Sequence, residues 1–146
     1  MLRGMAQQIV RRVDAISRRE LTERLQLERR IDRALKYHLD AAKALREIRD
    51  RRLYRDEYDN FEDYCVARWH MARSHANRLC DWAEVAENLS PMGTKALPVR
   101  ESHARPLARL TAQQQRRAWK RLIALPHRTG RDIERVCEEV RHRRRR

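Results

Sequence analysis

The stretch from Ser17 to Tyr54 contains neither Pro nor Gly, the two residues that most readily end a helix. It opens with "SRRE", in which Ser17 and Glu20 have the spacing of a capping box, so a helix is predicted to start there. The apolar residues that then recur mostly three or four positions apart are Leu21, Leu25, Ile31, Leu35, Leu39, Ala42, Leu45 and Ile48. A helix of about 35 residues is roughly 50 Å long, which exceeds the core of a small domain. We predict that its apolar stripe pairs with a second copy of the chain, with packing inside the same chain as the alternative.

Composition favours helix in the rest of the chain as well. The 146 residues include only three Gly, four Pro and one Phe, whereas the helix-forming residues Ala, Leu, Arg and Glu are abundant. We therefore expect an all-α fold, in which a long N-terminal helix is followed by shorter ones. Asn60 with Asp63 resembles an N-terminal cap for a helix that runs through Trp69, and a second helix is expected from about Ala72 to Leu89.

Three more helices are expected in the C-terminal part of the chain, after the loop "SPMGTKALPV". In "RESHARPLARL", Pro106 is expected either to kink the helix or to mark a later start. Thr111 and Gln114 have the spacing of another capping box. Thr129 is expected to cap a final helix that runs into "RHRRRR".

Residues 62–81 have the pattern of a helix-turn-helix, which needs apolar residues where its two helices meet. The residues expected to point inward are Cys65, Val66, Trp69, Met71, Ala76, Leu79, Cys80 and Ala83. His70 stands where the turn needs a positive φ, a conformation in which His is enriched among non-Gly residues. Ala72 replaces the usual Ser or Thr cap, so either Ser74 caps a slightly later start or the second helix is weakly capped.

The outer face of that second helix is polar. It carries Arg73, Ser74, Asn77 and Arg78, with His75 on the flank. A helix that enters the DNA major groove by its N-terminal half presents such a face to the bases. Arg pairs with guanine and Asn with adenine through two hydrogen bonds each. The pattern therefore predicts contacts to double-stranded DNA, and a plain helical hairpin with a solvated polar face is the alternative.

A metal site is a second alternative for this segment, because Cys65, His70, His75 and Cys80 are evenly spaced. Steps of five residues on one helix turn each side chain about 140° from the last, so the four do not converge. Neither Cys-x2-Cys nor His-x3-His occurs. We expect no metal and no cofactor, and we expect Cys65 and Cys80 to be buried as small apolar side chains.

The charge balance points to a polyanionic partner. The chain has 35 Lys and Arg against 21 Asp and Glu, a net charge of +14. Nucleic acid is the first candidate for such a charge, and an anionic membrane surface is the second. The N-terminal "MLRGMAQQIVRRV" has the character of a short basic amphipathic segment, but no apolar run is long enough to span a bilayer. We expect no membrane partner.

Enzyme chemistry has little support in the sequence. A Gly-rich phosphate loop, a nucleophile elbow and an HExxH motif are all missing, and the acidic residues alternate with Arg. We therefore expect a protein without enzymatic activity.

Three Cys without CxxC spacing indicate reduced thiols, as in a cytoplasmic protein.

The segments "EDYCVARWHMARSHANRLCDWAEVAENL" and "VRESHARPLARLTAQQQRRAWKRLIAL" together resemble the central DNA-binding region of the ParB/KorB family of partition proteins. The resemblance spans roughly residues 58–140. It implies groove contacts from Arg73, Ser74, His75, Asn77 and Arg78. It also implies that Arg100, His103 and Arg105 lie near the DNA or behind the recognition helix, which is the second helix of the motif. A purely structural role is the alternative for these three. The nucleotide-binding motifs of that family do not occur before residue 58, so the resemblance does not imply a nucleotide-gated clamp.

These observations lead to one main hypothesis. The chain is expected to be a sequence-specific double-stranded DNA-binding protein of plasmid, phage or mobile-element type, either a transcriptional repressor or a partition-site binder. Residues 1–55 would form a long helical element for dimerisation or packing, 56–140 the DNA-binding domain and 141–146 a basic tail, with Arg141 and Arg143 on phosphates. The alternative is a basic nucleic-acid-binding adaptor, or an RNA-binding protein, that does not recognise base sequence.

Overall fold

The computed structural model describes residues 17–93 and 97–143, and within these ranges it contains six α-helices, one 3-10 helix and no β-strand. The helices are α1 (Arg18–Asp50), α2 (Phe61–Trp69), α3 (Arg73–Leu89), the 3-10 helix Ser90–Met92, α4 (Glu101–Ala108), α5 (Ala112–Ile123) and α6 (Gly130–His142). The predicted all-α fold, with a long N-terminal helix followed by a helical bundle, is confirmed. The amphipathic segment predicted before Ser17 and the last three Arg of the tail lie outside the described residues.

Helix α1 begins as predicted. The Ser17 N–H donates to Glu20 Oε2 at 2.7 Å, and the Glu20 N–H donates to Ser17 Oγ at 3.2 Å, which completes the capping box. The helix has 33 residues, against about 35 predicted, and it ends at Asp50, shortly before Arg52 adopts a left-handed conformation with φ 50°. The N–H groups of Arg52 and Leu53 then bond back to the carbonyls of Arg49 and Ile48, the Schellman arrangement that closes a helix.

The chain divides into two compact units, residues 1–34 and residues 35–146. In the first unit, residues 17–31, 33 and 34 are all exposed. In the second unit, Ala42 and Leu45 of α1 are buried, and Arg46 forms an ion pair with Glu87 of α3. The C-terminal part of α1 therefore belongs to the core of the second unit.

Helices α3 to α6 share the main core of the second unit. The largest side chains in it that are fully or almost fully buried are Trp82, Leu89, Leu107, Trp119, Leu122 and Ile133. The indole N–H of Trp82 donates to the carbonyl of Pro98 at 2.9 Å, so this buried donor is satisfied. Gln115 is also buried, and its side-chain amide nitrogen donates to the carbonyls of Leu107 and Leu110. These bonds fix the end of α4 against α5.

A second, smaller core lies between α1, α2 and α3. It contains Leu45, Phe61, Cys65, Ala76 and Cys80, all buried. Met71 is partly buried and packs against this cluster, as expected for a residue that fills the turn. The C-terminal half of α1, α2 and α3 therefore meet around one apolar cluster.

Two residues expected to point inward from α2 do not. Val66 is 43% exposed and Trp69 is 51% exposed. Helix α2 begins at Phe61, and Phe61 and Cys65 lie one turn apart on its buried face. Val66 lies about 100° around the helix from Cys65, which directs it outward. The predicted inward role of Val66 and Trp69 was therefore wrong.

The predicted caps of the later helices are confirmed. The Asp63 N–H donates to Asn60 Oδ1, and both Thr111 and Thr129 form complete capping boxes. Helix α4 starts at Glu101 with Pro106 inside it, so the alternative of a later start at Pro106 is wrong.

Candidate nucleic-acid interface

The turn between α2 and α3 has the conformation that the sequence predicted. His70 adopts φ 52° and ψ 34°, in the left-handed region. Its N–H donates to the Val66 carbonyl at 3.1 Å, and the Met71 N–H donates to the Cys65 carbonyl at 3.2 Å. Only His70, Met71 and Ala72 separate the two helices, which is the turn length of a helix-turn-helix.

Helix α3 begins without a side-chain cap. Its N-cap is Ala72, and α3 starts at Arg73, so the alternative of a later start capped by Ser74 is wrong. The weakly capped start is confirmed. Backbone N–H groups in the first turn of a helix have no acceptors within the helix. Here no side-chain cap supplies one, and an anion at this end would be favoured.

Small buried residues allow α2 and α3 to pack closely. Cys65 of α2 and Ala76 and Cys80 of α3 are all fully buried. Burial raises the pKa of both Cys65 and Cys80 to about 11. Among the residues that the structure describes, no group of three or more His, Cys, Asp or Glu is placed to hold a metal ion.

The polar face predicted for α3 is present at the surface. Arg73 and Ser74 are exposed, and His75, Asn77 and Arg78 are partly exposed. All five lie in the N-terminal half of α3, between positions 73 and 78. The structure thus places these five predicted residues at the surface near the start of α3.

Three carboxylates contact these polar residues of α3. None of the three was predicted from the sequence. Arg73 Nη2 lies 2.6 Å from Asp63 Oδ1, and Asn77 Nδ2 donates to Glu62 Oε1 at 3.1 Å. Arg78 Nε lies 3.4 Å from Glu101 Oε1. The hydrogen bond from Asn77 is the main cause that lowers the pKa of Glu62. A sequence signal did exist, because acidic residues are favoured in the first turn of a helix, where all three carboxylates lie.

Arg105 contacts the same carboxylate as Arg78. Its Nε donates to Glu101 Oε1 at 2.6 Å and its Nη2 donates to Glu101 Oε2 at 2.9 Å. These hydrogen bonds are the main cause that lowers the pKa of Glu101, so the carboxylate is charged at neutral pH. Arg105 is therefore linked to Arg78 of α3 through Glu101.

Arg100 and His103 lie at the start of α4. Arg100 is the exposed N-cap residue, without a side-chain cap, and His103 is partly buried. Burial is the main cause that lowers the pKa of His103, and the charges of Arg100 and Arg128 lower it further. The guanidinium of Arg128 lies 5.8 Å from the ring centre of Trp119.

Arg141 and Arg143 lie on another part of the second unit. Both are exposed, Arg141 in the last turn of α6 and Arg143 at its C-cap. Arg143 lines a shallow cavity of about 340 Å³ with Arg121, Glu139 and His142. Arg141 lies near Pro106 and Arg109, at the end of α4.

Aromatic side chains cluster beside α2. The rings of Tyr54, Tyr58, Phe61 and Tyr64 form pairs whose centres are 5.6 to 6.4 Å apart. The indole N–H of Trp69 donates to the Tyr64 hydroxyl at 3.1 Å, and the Arg68 guanidinium lies 5.4 Å from the Trp69 ring centre. Trp69 is half exposed, whereas Trp82 and Trp119 are buried.

Comparisons with protein families, with curated proteins and with solved structures found no match to this chain. Within residues 17–93 and 97–143, no helix has both the length and the apolar character needed to cross a membrane.

Proposed function

We propose that this protein binds double-stranded DNA and recognises a specific base sequence. The observation that carries the proposal is the turn at His70. A left-handed residue joins two closely packed helices there, and the second helix has a polar N-terminal face at the surface. The net charge of +14 provides the attraction to phosphate that such a protein needs.

In this proposal the N-terminal half of α3 enters the major groove. Asn77 and Arg78 contact base edges, because Asn and Arg form paired hydrogen bonds with adenine and guanine. Arg73, Ser74 and His75 contact bases or the adjoining backbone. Arg100, His103, Arg141 and Arg143 contact phosphates, which position the protein without selecting a sequence.

The role we propose is that of a transcriptional repressor or a partition-site binder encoded by a plasmid, phage or mobile element. This part of the proposal is supported by the resemblance of residues 58–140 to the DNA-binding region of ParB and KorB. We also propose that the protein works as a homodimer in the cytoplasm. Two copies would then contact two half-sites, spaced about one helical turn apart or a multiple of it.

The proposed dimer is supported by the exposed apolar side chains of the first unit. Its helical residues leave large apolar side chains at the surface, with Leu21 38%, Leu25 44%, Leu27 53% and Ile31 56% exposed. Ion pairs Arg19–Glu23 and Arg24–Glu28 lie on the same segment. A helix with an exposed apolar stripe between charged residues is the usual element of a helix–helix interface.

A second candidate function is a basic adaptor, or an RNA-binding protein, that does not recognise sequence. Two observations favour it. Carboxylates already contact Arg73, Asn77 and Arg78, and the half-exposed Trp69 beside Arg68 offers a ring on which an unpaired base stacks.

Selection of binding sites from a random duplex pool distinguishes the two candidates. At about 150 mM salt, purely electrostatic binding is strongly weakened. The proposal predicts enrichment of one palindromic or repeated motif. Enrichment without a motif, or preference for single-stranded RNA over any duplex, would support the second candidate instead.

A further inference from the structure

The guanidinium of Arg78 has two sides with different surroundings. Its Nε is buried from solvent and has no hydrogen-bond partner of good geometry, although Glu101 Oε1 lies 3.4 Å away as its ion-pair partner. Within residues 17–93 and 97–143, the terminal nitrogens Nη1 and Nη2 donate no hydrogen bond. The side chain as a whole is 36% exposed. One side of the group thus faces the protein, and its terminal fork is unoccupied.

Arg73 has the opposite arrangement. Its contact to Asp63 is made by Nη2, a terminal nitrogen, at 2.6 Å. Guanine presents two acceptors, O6 and N7, and an Arg pairs with both only when two of its donors are available side by side. Arg73 already uses one terminal nitrogen in an ion pair, whereas Arg78 donates no hydrogen bond from either of its terminal nitrogens.

Glu101 is itself held in place. Its side chain is only 13% exposed, and Arg105 contacts both of its oxygens, at 2.6 and 2.9 Å. Two parallel hydrogen bonds of this kind fix the plane of a carboxylate. Arg105 therefore fixes Glu101, and Glu101 lies against the Nε side of Arg78.

From these contacts, and resting on the proposed function, we infer that Glu101 is a positioning residue for base recognition. It holds Arg78 by its Nε side, so that Nη1 and Nη2 are directed at the O6 and N7 of one guanine in the DNA site. An Arg side chain loses much rotational freedom when it binds a base. This entropy cost of binding is smaller when a carboxylate already restricts the Arg side chain in the free protein.

The chain offers a matched control for this inference. Glu139 is also a carboxylate between two guanidiniums, with Arg121 at 2.5 Å and Arg135 at 3.3 Å. It lies on α6, and neither of its partners belongs to α3. Glu139→Gln and Glu101→Gln therefore change the net charge equally and remove the same type of ion pair, but only Glu101→Gln acts on Arg78.

The test measures base preference at each position of the duplex selected by the parent protein. Arg78→Ala is expected to lose a guanine preference of about tenfold or more at one position. Glu101→Gln is expected to reduce the preference at that same position by roughly three- to tenfold and to leave the other positions unchanged. Added to Arg78→Ala, Glu101→Gln should have no further effect there. Glu139→Gln should keep the parent profile.

Failure of this inference is distinguishable from failure of the proposed function. If the parent selects a motif and Arg78→Ala loses one guanine, a folded Glu101→Gln protein with the full preference overturns the role of Glu101 alone. If the parent selects no motif, both proposals are overturned. If circular dichroism shows that Glu101→Gln is unfolded, Arg105→Lys removes the forked contact while keeping the charge. An unchanged guanine preference in Arg105→Lys would then overturn the inference.

Discussion

Single residues decide the geometry of the turn between α2 and α3. His70 adopts a left-handed conformation that costs most residues free energy because of their Cβ atom. This conformation could be predicted from the sequence, because the helices expected on either side of position 70 leave His70 at the turn. The contacts of Arg73, Asn77 and Arg78 to carboxylates could not be predicted, since side-chain ion pairs depend on how helices pack.

Replacing His70 tests the turn directly. His70→Gly is expected to leave the free energy of unfolding unchanged or to raise it by up to about 1 kcal/mol, because Gly adopts a positive φ without strain. His70→Val is expected to lower it by about 2 kcal/mol, since a β-branched residue is disfavoured there. Chemical denaturation measures both changes.

His75→Gly is the control for the turn, because His75 lies within α3. A Gly inside a helix is expected to lower the free energy of unfolding by about 1 kcal/mol. If His70→Gly proved as destabilising as His75→Gly, position 70 would not be the left-handed residue of a turn.

The cysteines provide another prediction for single residues. Burial raises the pKa of Cys65 and Cys80 to about 11 and that of Cys137 to about 12. A raised pKa keeps each thiol protonated, and therefore unreactive, at any pH well below these values. At pH 8 we expect Ellman's reagent to modify no cysteine of the native protein within residues 17–143 at an appreciable rate, and all three after denaturation. Rapid modification of the native protein would contradict the burial of these thiols.

At the level of helices, the N-terminal caps were predicted correctly from the sequence. The buried side chains of a short helix were predicted less well. Ser17, Asn60, Thr111 and Thr129 all cap helices as predicted, because each cap depends on residues only three positions apart. Val66 lies on the other face of α2 than predicted, because a nine-residue helix is too short for its apolar period to be read without ambiguity. Trp69 is exposed although it lies four residues after Cys65, and it is the last residue of the helix.

Helix α1 carries the prediction of a dimer. Leu25→Glu places a charge on the exposed apolar residues of the first unit, so it is expected to weaken dimerisation by tenfold or more, on the order of the cost of burying an unpaired charge. Gln26→Glu is the matched control, because Gln26 is the exposed neighbour, about 100° around the helix. Sedimentation equilibrium measures both. A parent protein that is monomeric at every concentration would contradict the dimer, and a Leu25→Glu protein as dimeric as the parent would place the interface elsewhere.

For the molecule as a whole, the net charge and the exposed start of α3 both support the proposal that the ligand is double-stranded DNA. The net charge of +14 attracts any nucleic acid, and the exposed face of α3 is what would make the attraction selective. The sequence was sufficient for the fold class and for the surface position of the five polar residues at the start of α3. It was not sufficient for Glu101 and Arg105, because their link to Arg78 joins residues of α3 and α4 that lie far apart in the chain.

The most direct test of sequence-specific DNA binding compares the selected duplex with a scrambled duplex of the same composition at about 150 mM salt. The parent protein is expected to prefer the selected duplex by a factor of about 10³ or more. Asn77→Ala should lower that preference by about 1–3 kcal/mol and leave the affinity for the scrambled duplex unchanged. Gln113→Ala, an exposed amide on α5, should behave as the parent. Equal affinity of the parent protein for the two duplexes would contradict the proposed function.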